Sequence, residues 1–441
     1  MSENMRDDLL IVNGMLFTLS QEASGIIPKG FVRIRDGIIV ETGSMGVLPK
    51  LCSSQQTIDA AGCLVMPGLV NCHNHCAMTL FRGLADDLPL MTWLEQYIFP
   101  AEAGFVSEEM VYWCTKLAAA EMIMSGTTTV ADAYFYESAA AKALRESGMR
   151  AVAGHGIIDF PAPGVADPAE NISTVEQFID EWDADERISP AVFCHSPYTC
   201  GPETLKKAKD LARSKGVDYF IHLAESRSEI DQIRQQYGVS PVEHLHALGV
   251  LDSSTVCVHC VWLEERDLDI LQESSVRVVT CPASNMKLAS GIAPLSAMLE
   301  RNIVIGLGTD GCASNNNLDL FLEMDHCAKL HKVQHLDPAV MPAAKVLEMA
   351  TVNGAAALGL DQFIGRIEAG KKADLILVDF NKPHLTPFYN QDILVYATMG
   401  SDVRTVIIDG QLVMHDKEIV TFDLAQTLAE VRKLARTVGA G

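Results

Sequence analysis

Between residues 64 and 364 the chain repeats one pattern: a short apolar, β-branched run, a turn, then a longer stretch with helical spacing of its apolar positions. Eight such runs occur: Leu64–Val70, Thr127–Ala131, Ala151–Gly154, Ala191–Cys194, Tyr219–Leu223, Thr255–Val261, Val276–Thr280 and Ile303–Leu307. Stretches such as Glu108–Met124 and Glu203–Ser214 read as the helices between them. A parallel sheet needs such crossovers, and eight strand–helix units over ~300 residues predict a (β/α)8 TIM barrel.

Both ends of the chain read differently. Leu9-Leu-Ile-Val-Asn-Gly-Met-Leu-Phe predicts strand, Asn-Gly turn, strand, and Phe31-Val-Arg-Ile-Arg-Asp-Gly-Ile-Ile-Val repeats it with Asp-Gly. Ala373-Asp-Leu-Ile-Leu-Val-Asp and Val406-Ile-Ile-Asp-Gly-Gln-Leu-Val behave alike. Neither end has enough strands to bury a sheet face alone, so the two are expected to meet in one small β-sandwich domain. The expected division is therefore 1–63, the barrel at 64–364, and 365–441, the last closing with a helix over 423–437.

Composition narrows the class. The 441 residues are 48% hydrophobic and 21% charged, an ordinary globular balance. No apolar stretch approaches the ~20 residues needed to span a bilayer. Met1-Ser-Glu-Asn-Met-Arg-Asp-Asp lacks a basic region followed by an apolar core, so a cytoplasmic location without a secretory signal is expected. A net charge of −23 repels nucleic acid and anionic membrane surfaces, and neither is expected as a partner. Twelve cysteines in such a chain read as reduced thiols. Cys257-Val-His-Cys260 has metal-site spacing but no second pair, and on a strand the two thiols would point to opposite faces.

The candidate chemistry lies at the ends of the eight runs. In order they deliver His73 and His75, Asp132, His155, His195, His222 and Glu225, His259, Ser284 and Asn285, and Asp310. A buried strand ordinarily ends in turn residues, and in a barrel these C-terminal ends converge on the active site. His73 and His75 stand two apart and can offer two imidazoles to one ion, with His222 and Asp310 completing the set. Three neutral imidazoles and one carboxylate suit one divalent metal, zinc foremost, with iron or manganese compatible. A remaining position would hold water, whose pKa falls to about 7 on zinc. Glu225 then reads as general base, His259 as a group that orients the nucleophile or steadies developing charge, and Asp310 as a ligand that also shuttles a proton.

The set Pro67-Gly-Leu-Val-Asn-Cys-His73-Asn-His75, His222-Leu-Ala-Glu225, His259-Cys and Gly308-Thr-Asp310-Gly resembles the amidohydrolase superfamily, with Gly365-Arg-Ile-Glu-Ala-Gly-Lys-Lys-Ala-Asp like its return into the β-domain. Within it, the branch of 5′-methylthioadenosine/S-adenosylhomocysteine deaminases, related to s-triazine hydrolases, is the most similar. Met78-Thr-Leu-Phe-Arg-Gly, His195-Ser-Pro-Tyr, Cys281-Pro-Ala-Ser-Asn-Met-Lys-Leu and Thr309-Asp-Gly-Cys-Ala-Ser-Asn-Asn look like the deaminase side. Two-metal members generally bridge their ions with a lysine of the fourth strand; Ala191-Val-Phe-Cys-His-Ser-Pro has none, which favours one metal. The unrelated cytidine-deaminase pattern, H-x-E with P-C-x-x-C, is absent.

The resemblance implies a hydrolytic deaminase of adenosine-type nucleosides, attacked at C6 to give the inosine product and ammonia. It implies homo-oligomeric assembly too. Glu102 would accept both ribose hydroxyls, His195 would contact the purine edge, Trp93 would wall the pocket, and Ser314 would lie near the 5′ substituent. One departure bears on specificity. Relatives that use S-adenosylhomocysteine well place arginines at the third strand end and in its loop; here stand His155 and an arginine-free, lysine-free loop, 159–170. A buried carboxylate without a cation is costly, so 5′-methylthioadenosine, adenosine or 5′-deoxyadenosine is expected before S-adenosylhomocysteine. A triazine hydrolase or a guanine or pterin deaminase would use the same barrel and metal, as would, more remotely, a non-catalytic scaffold.

Overall fold

The computed structural model describes residues 7–20, 25–49 and 54–438; most of the N-terminal stretch Met1–Asp8 and the last three residues lie outside them. Eight parallel strands, Leu69–Asn74, Thr127–Tyr134, Arg150–Ile157, Ile188–Cys194, Tyr219–Leu223, Thr255–His259, Arg277–Thr280 and Val304–Leu307, pair in chain order. Helices alternate with them, Glu108–Met124 and Pro202–Lys215 among them. The last strand returns beside the first: the Asp310 amide donates to the His73 carbonyl at 3.0 Å, and the Asn71 side chain donates to Thr309 Oγ1 at 2.7 Å.

Strand alternation sorts the side chains into two layers. Val70, Ala131, Val152, Ala191, Phe220, Val256 and Val279 fill the barrel with Ala355, Ala357 and Ile364. Leu69, Val130, Ala151, Val192, Ile221, Cys257, Val278 and Ile305 face outward to the helices.

Both chain ends build one nine-stranded sheet, joined where Cys63–Pro67 pairs antiparallel with Leu375–Asp379. Cys63 and Val65 face this sheet's own core, with Leu9, Ile34, Leu375 and Ile407. Leu64 and Met66, of opposite parity, pack into the layer between sheet and barrel helices. The run Leu64–Val70 is thus two strands in two sheets. They part at Gly68, where an added Cβ would lie 2.2 Å from the Thr128 side chain.

Asp36-Gly37 and Asp409-Gly410 make the hairpins their sequences predict, all four residues at positive φ. Asn13-Gly14 does not: it is a bulge inside one strand, Asp7–Phe17, with Asn13 donating to Asp59 Oδ1 at 3.0 Å. A Cβ at Gly14 would stand 2.6 Å from Val65, so the glycine answers to packing against Cys63–Pro67 rather than to a turn. The final helix is Leu424–Val438. No helix among the described residues is long and apolar enough to cross a membrane.

Candidate active site

Six of the strand-end groups come together over the barrel mouth. Pairing of the first two strands shifts between Asn71 and Asn74, and there His73 and His75 turn towards the centre, their rings 4.7 Å apart. His73 Nε2 lies 3.2 Å from His222 Nε2 and 3.3 Å from Asp310 Oδ1; His75 Nε2 lies 3.5 Å from the same oxygen. Two overlapping groups, His73–His75–Asp310 and His73–His222–His259, have donor spacing for a metal ion.

The hydrogen bonds around these donors fix which atoms face inward. His75 Nδ1 donates to the Ala133 carbonyl at 2.6 Å and His222 Nδ1 to the His195 carbonyl at 2.8 Å. A carbonyl can only accept, so each ring carries a proton on Nδ1 and turns its Nε2 inward. His259 Nδ1 is tied in the same way to Asn285 Oδ1 at 3.1 Å. Asp310 Oδ2 accepts from Ser284 and Ser314 hydroxyls at 2.7 and 2.9 Å, which leaves Oδ1 towards the imidazoles.

Burial pushes His73 down to about 4 and His222 well below the usual imidazole value, so both are neutral at pH 7. Burial acts to raise Asp310, but the His73 ring, then His75 and His259, outweigh it and hold the carboxyl well below its ordinary range. The result is an ionised carboxylate buried among lone-pair donors, the donor set a divalent cation fits. Phe193 takes the inward position of the lysine-free fourth strand, its ring 5.0 Å from that of His222.

Glu225 borders this cluster, Oε2 being 3.8 Å from His259 Nε2. Burial raises its proton affinity, opposed by His259 and assisted by Asp310. A carboxyl group so placed is suited to take up a proton and return it.

Two adjoining hollows, of about 450 and 510 Å3, share His75, Met78, Leu94 and His195 in their walls. The first holds the donor cluster with Trp93, Tyr198, Leu288 and Ser314. The second is apolar, lined by Ile98, Phe99, Phe135, Ile157, Ile158 and Phe193, with Glu102 set into it. Glu102 accepts from the Tyr134 hydroxyl at 2.7 Å; burial lifts it to about 7, with Tyr134 opposing the rise. His195, pushed down to about 3 by burial, is anchored through Nδ1 to Thr199 Oγ1 at 2.9 Å. Neither hollow is lined by a lysine or arginine among the described residues.

One expected substrate contact needs correction. His155 is not in the site. It shares strand parity with Ala151 and Ala153, faces outward, and lies 6.4 Å from the Phe178 ring in a separate groove. Ser314 borders the first hollow, its hydroxyl donating to Asp310. Asp132, too, serves the backbone, accepting from the Cys76 amide at 2.7 Å.

Sequence reasoning assigned no role to Asn285, Ser284 or Tyr134. The first two sit in the short helix Pro282–Lys287 that follows the seventh strand, while Tyr134 stands beyond the run read as Thr127–Ala131. The cysteines of Cys257-Val-His-Cys260 do not point apart. His259 and Cys260 have φ of +74° and +49°, and this left-handed turn brings both thiols into the same outer layer. Neither thiol joins a metal-competent group among the described residues.

An amidohydrolase family model matches residues 64–413. A Syntrophobacter fumaroxidans protein named 5-methylthioadenosine/S-adenosylhomocysteine deaminase is 51% identical over 98% of this chain and 99% of its own. A Methanosarcina mazei protein named 5′-deoxyadenosine deaminase is 46% identical over 97% and 98%. Among solved structures, an adenosine deaminase from Xanthomonas campestris with bound zinc superposes with a TM-score of 0.96, at 35% identity and 99% coverage of both chains.

Proposed function

This chain belongs to the amidohydrolase family, and on that premise we propose that it is a mononuclear, metal-dependent deaminase of adenosine-type nucleosides bearing an uncharged 5′ group. The carrying observation is a pair of adjoining hollows that share His75, Met78, Leu94 and His195 in their walls. One holds the donor cluster with Glu225, the other is apolar with one carboxylate, Glu102, and there is no lysine or arginine in either wall.

In this reading His73, His75, His222 and Asp310 hold one divalent ion, zinc by donor type and by likeness to the zinc-bound relative, with iron or manganese compatible. Bound there, the ion supplies a Lewis acid that eases ionisation of water at neutral pH. Glu225 takes a proton from the attacking water and passes it to the purine ring nitrogen beside C6. Asp310, its second oxygen steadied by Ser284 and Ser314, moves a proton to the amine as it leaves. His259, oriented by Asn285, steadies charge developing on the oxygen bound for C6. Water and an adenosine derivative thereby give the inosine derivative and ammonia.

Glu102 receives the ribose hydroxyls through the acceptor capacity Tyr134 leaves it, while Trp93 and His195 flank the base. A 5′-methylthio, 5′-deoxy or 5′-hydroxyl group suits such walls. The homocysteine carboxylate of S-adenosylhomocysteine would be buried without a cation, which is unfavourable.

The test is ammonia release by the zinc-loaded enzyme from 5′-methylthioadenosine, 5′-deoxyadenosine, adenosine, S-adenosylhomocysteine, guanine and an amino-s-triazine. At least tenfold higher kcat/KM for 5′-methylthioadenosine than for S-adenosylhomocysteine is expected. Equal values would remove the specificity claim, and turnover of guanine or the triazine alone would remove the nucleoside claim.

A further inference from the structure

Glu225 stands on a turn whose backbone is unfavourable without support. Ala224 has φ +54°, a left-handed conformation that a residue with a Cβ seldom adopts. The helix Arg227–Tyr237 follows directly, capped by Ser226, whose hydroxyl accepts from the Glu229 amide at 3.2 Å. Ser226-x-x-Glu229 is the pattern of a reciprocal cap, in which the glutamate carboxylate returns to the N–H of the capping serine. Here it reaches further. Glu229 Oε1 accepts from the Ala224 amide at 2.8 Å and Oε2 from the Glu225 amide at 2.9 Å.

The other side of the same peptide is also held. The Ala224 carbonyl accepts from the Val261 and Trp262 amides at 3.0 and 2.9 Å, on the segment that follows His259 and Cys260, both left-handed. One peptide plane, Ala224–Glu225, thus links the turn carrying Glu225 to the turn carrying His259. Its N–H side has a single clasp, and that clasp is Glu229, itself 2% exposed. An ordinary helix cap needs none of this reach.

We infer that Glu229 is a positioning residue: its carboxylate clasps the strained Ala224–Glu225 peptide and so aims Glu225 at the reacting atoms. The inference rests on the role proposed above for Glu225. Glu229→Gln keeps the side chain's shape, but its NH2 must meet one of the two N–H groups the carboxylate accepts from, leaving a buried donor unpaired.

The test compares Glu229→Gln with the parent, both zinc-loaded, on whichever of 5′-methylthioadenosine, guanine and an amino-s-triazine the parent turns over fastest. Failure of the parent on nucleosides counts against the proposed substrate; only the variant-to-parent ratio bears on the clasp. Expected are a kcat at least 30-fold lower, KM within threefold, unchanged zinc content, and at least tenfold faster amide hydrogen exchange at Ala224 and Glu225. Glu229→Asp, which withdraws the carboxylate by one methylene, carries the same expectation and decides the matter if the first variant does not fold. Ser226→Ala, which removes the helix cap and the contact with the Ser228 hydroxyl but leaves the Glu229 carboxylate in place, should lower the thermal midpoint and keep kcat within twofold. A Glu229 variant with kcat within threefold of the parent overturns the inference. So does a Ser226→Ala loss as large as that of Glu229→Gln, because the helix terminus and not the clasp would then govern.

Discussion

The two adjoining hollows are built on different principles. At the donor end the groups belong to barrel strand ends and are fixed from neighbouring strands or from the short helices that follow them: His75 to the Ala133 carbonyl, His222 to the His195 carbonyl, His259 to Asn285 and Asp310 to two serines. At the apolar end, Leu94, Ile98, Phe99 and Glu102 come from Leu90–Phe105, a helical excursion between the first strand and its crossover helix Glu108–Met124. Its one charged group is held by one hydroxyl. The groups proposed to react therefore stand on the closed barrel, where packing and hydrogen bonds leave little freedom. In the proposed reading, recognition is shared between this excursion and the barrel residues Tyr134, Phe135, Ile157, Ile158 and Phe193.

Substitutions at the two ends should accordingly fail in different ways. The largest effect belongs to the donor end. Glu225→Gln keeps shape and loses proton transfer, so kcat should fall by about 10³ while KM and metal content stay near those of the parent. A comparable rise in KM would mean that Glu225 also binds substrate and would blur the division.

Glu102→Gln should act oppositely, lowering kcat/KM for nucleosides by about 10- to 100-fold, the worth of one or two hydrogen bonds to a charged acceptor, with little change on a bare heterocycle. Its stability consequence has a defined sign. Burial lifts Glu102 in the fold to about 7, from an unfolded value near 4.5. From pH 4.5 to about 7 the unfolded chain has given up a proton that the fold retains, so stability falls as pH rises through this window and is level above it. Glu102→Gln removes that penalty: its thermal midpoint should exceed the parent's above pH 7 and match it below pH 4.5. In the parent, KM for nucleosides should rise as pH falls below about 7 and Glu102 takes up its proton. Binding that is flat from pH 8 to 5.5 would contradict this.

Tyr134→Phe should be milder, raising KM roughly three- to tenfold for the loss of one hydrogen bond. Because the Tyr134 hydroxyl lowers the proton affinity of Glu102, its removal should also move the acidic rise in KM to higher pH. The smallest effect is expected at His155. It faces Phe178 outside the barrel, so His155→Leu should leave the preference for 5′-methylthioadenosine over S-adenosylhomocysteine within twofold. A tenfold change would put it back in the site.

The same division decides how much was legible in the sequence. A histidine or carboxylate closing an apolar run announces itself, and His73, His75, His222, Glu225, His259 and Asp310 do converge. Which face a strand-end residue takes depends on parity and local register. His155 was misplaced because nothing in its run says that Ala151 and Ala153 face out. The run Leu64–Val70 hid a change of sheet because apolar residues continue across it, and only the Thr128 side chain against Gly68 marks the break. The apolar end was legible only at Glu102 and at His195, which stands on the wall the two hollows share. Its remaining walls are ordinary hydrophobic residues whose neighbours come from distant segments, and Tyr134 declares itself only through its bond to Glu102.

The most direct test of a one-metal deaminase is to strip the chain of metal and titrate zinc back while following ammonia from 5′-methylthioadenosine. Activity should be absent at first, rise linearly and reach its plateau at one equivalent per chain. A plateau at two equivalents, full activity in the stripped chain, or no ammonia at any zinc level would contradict it.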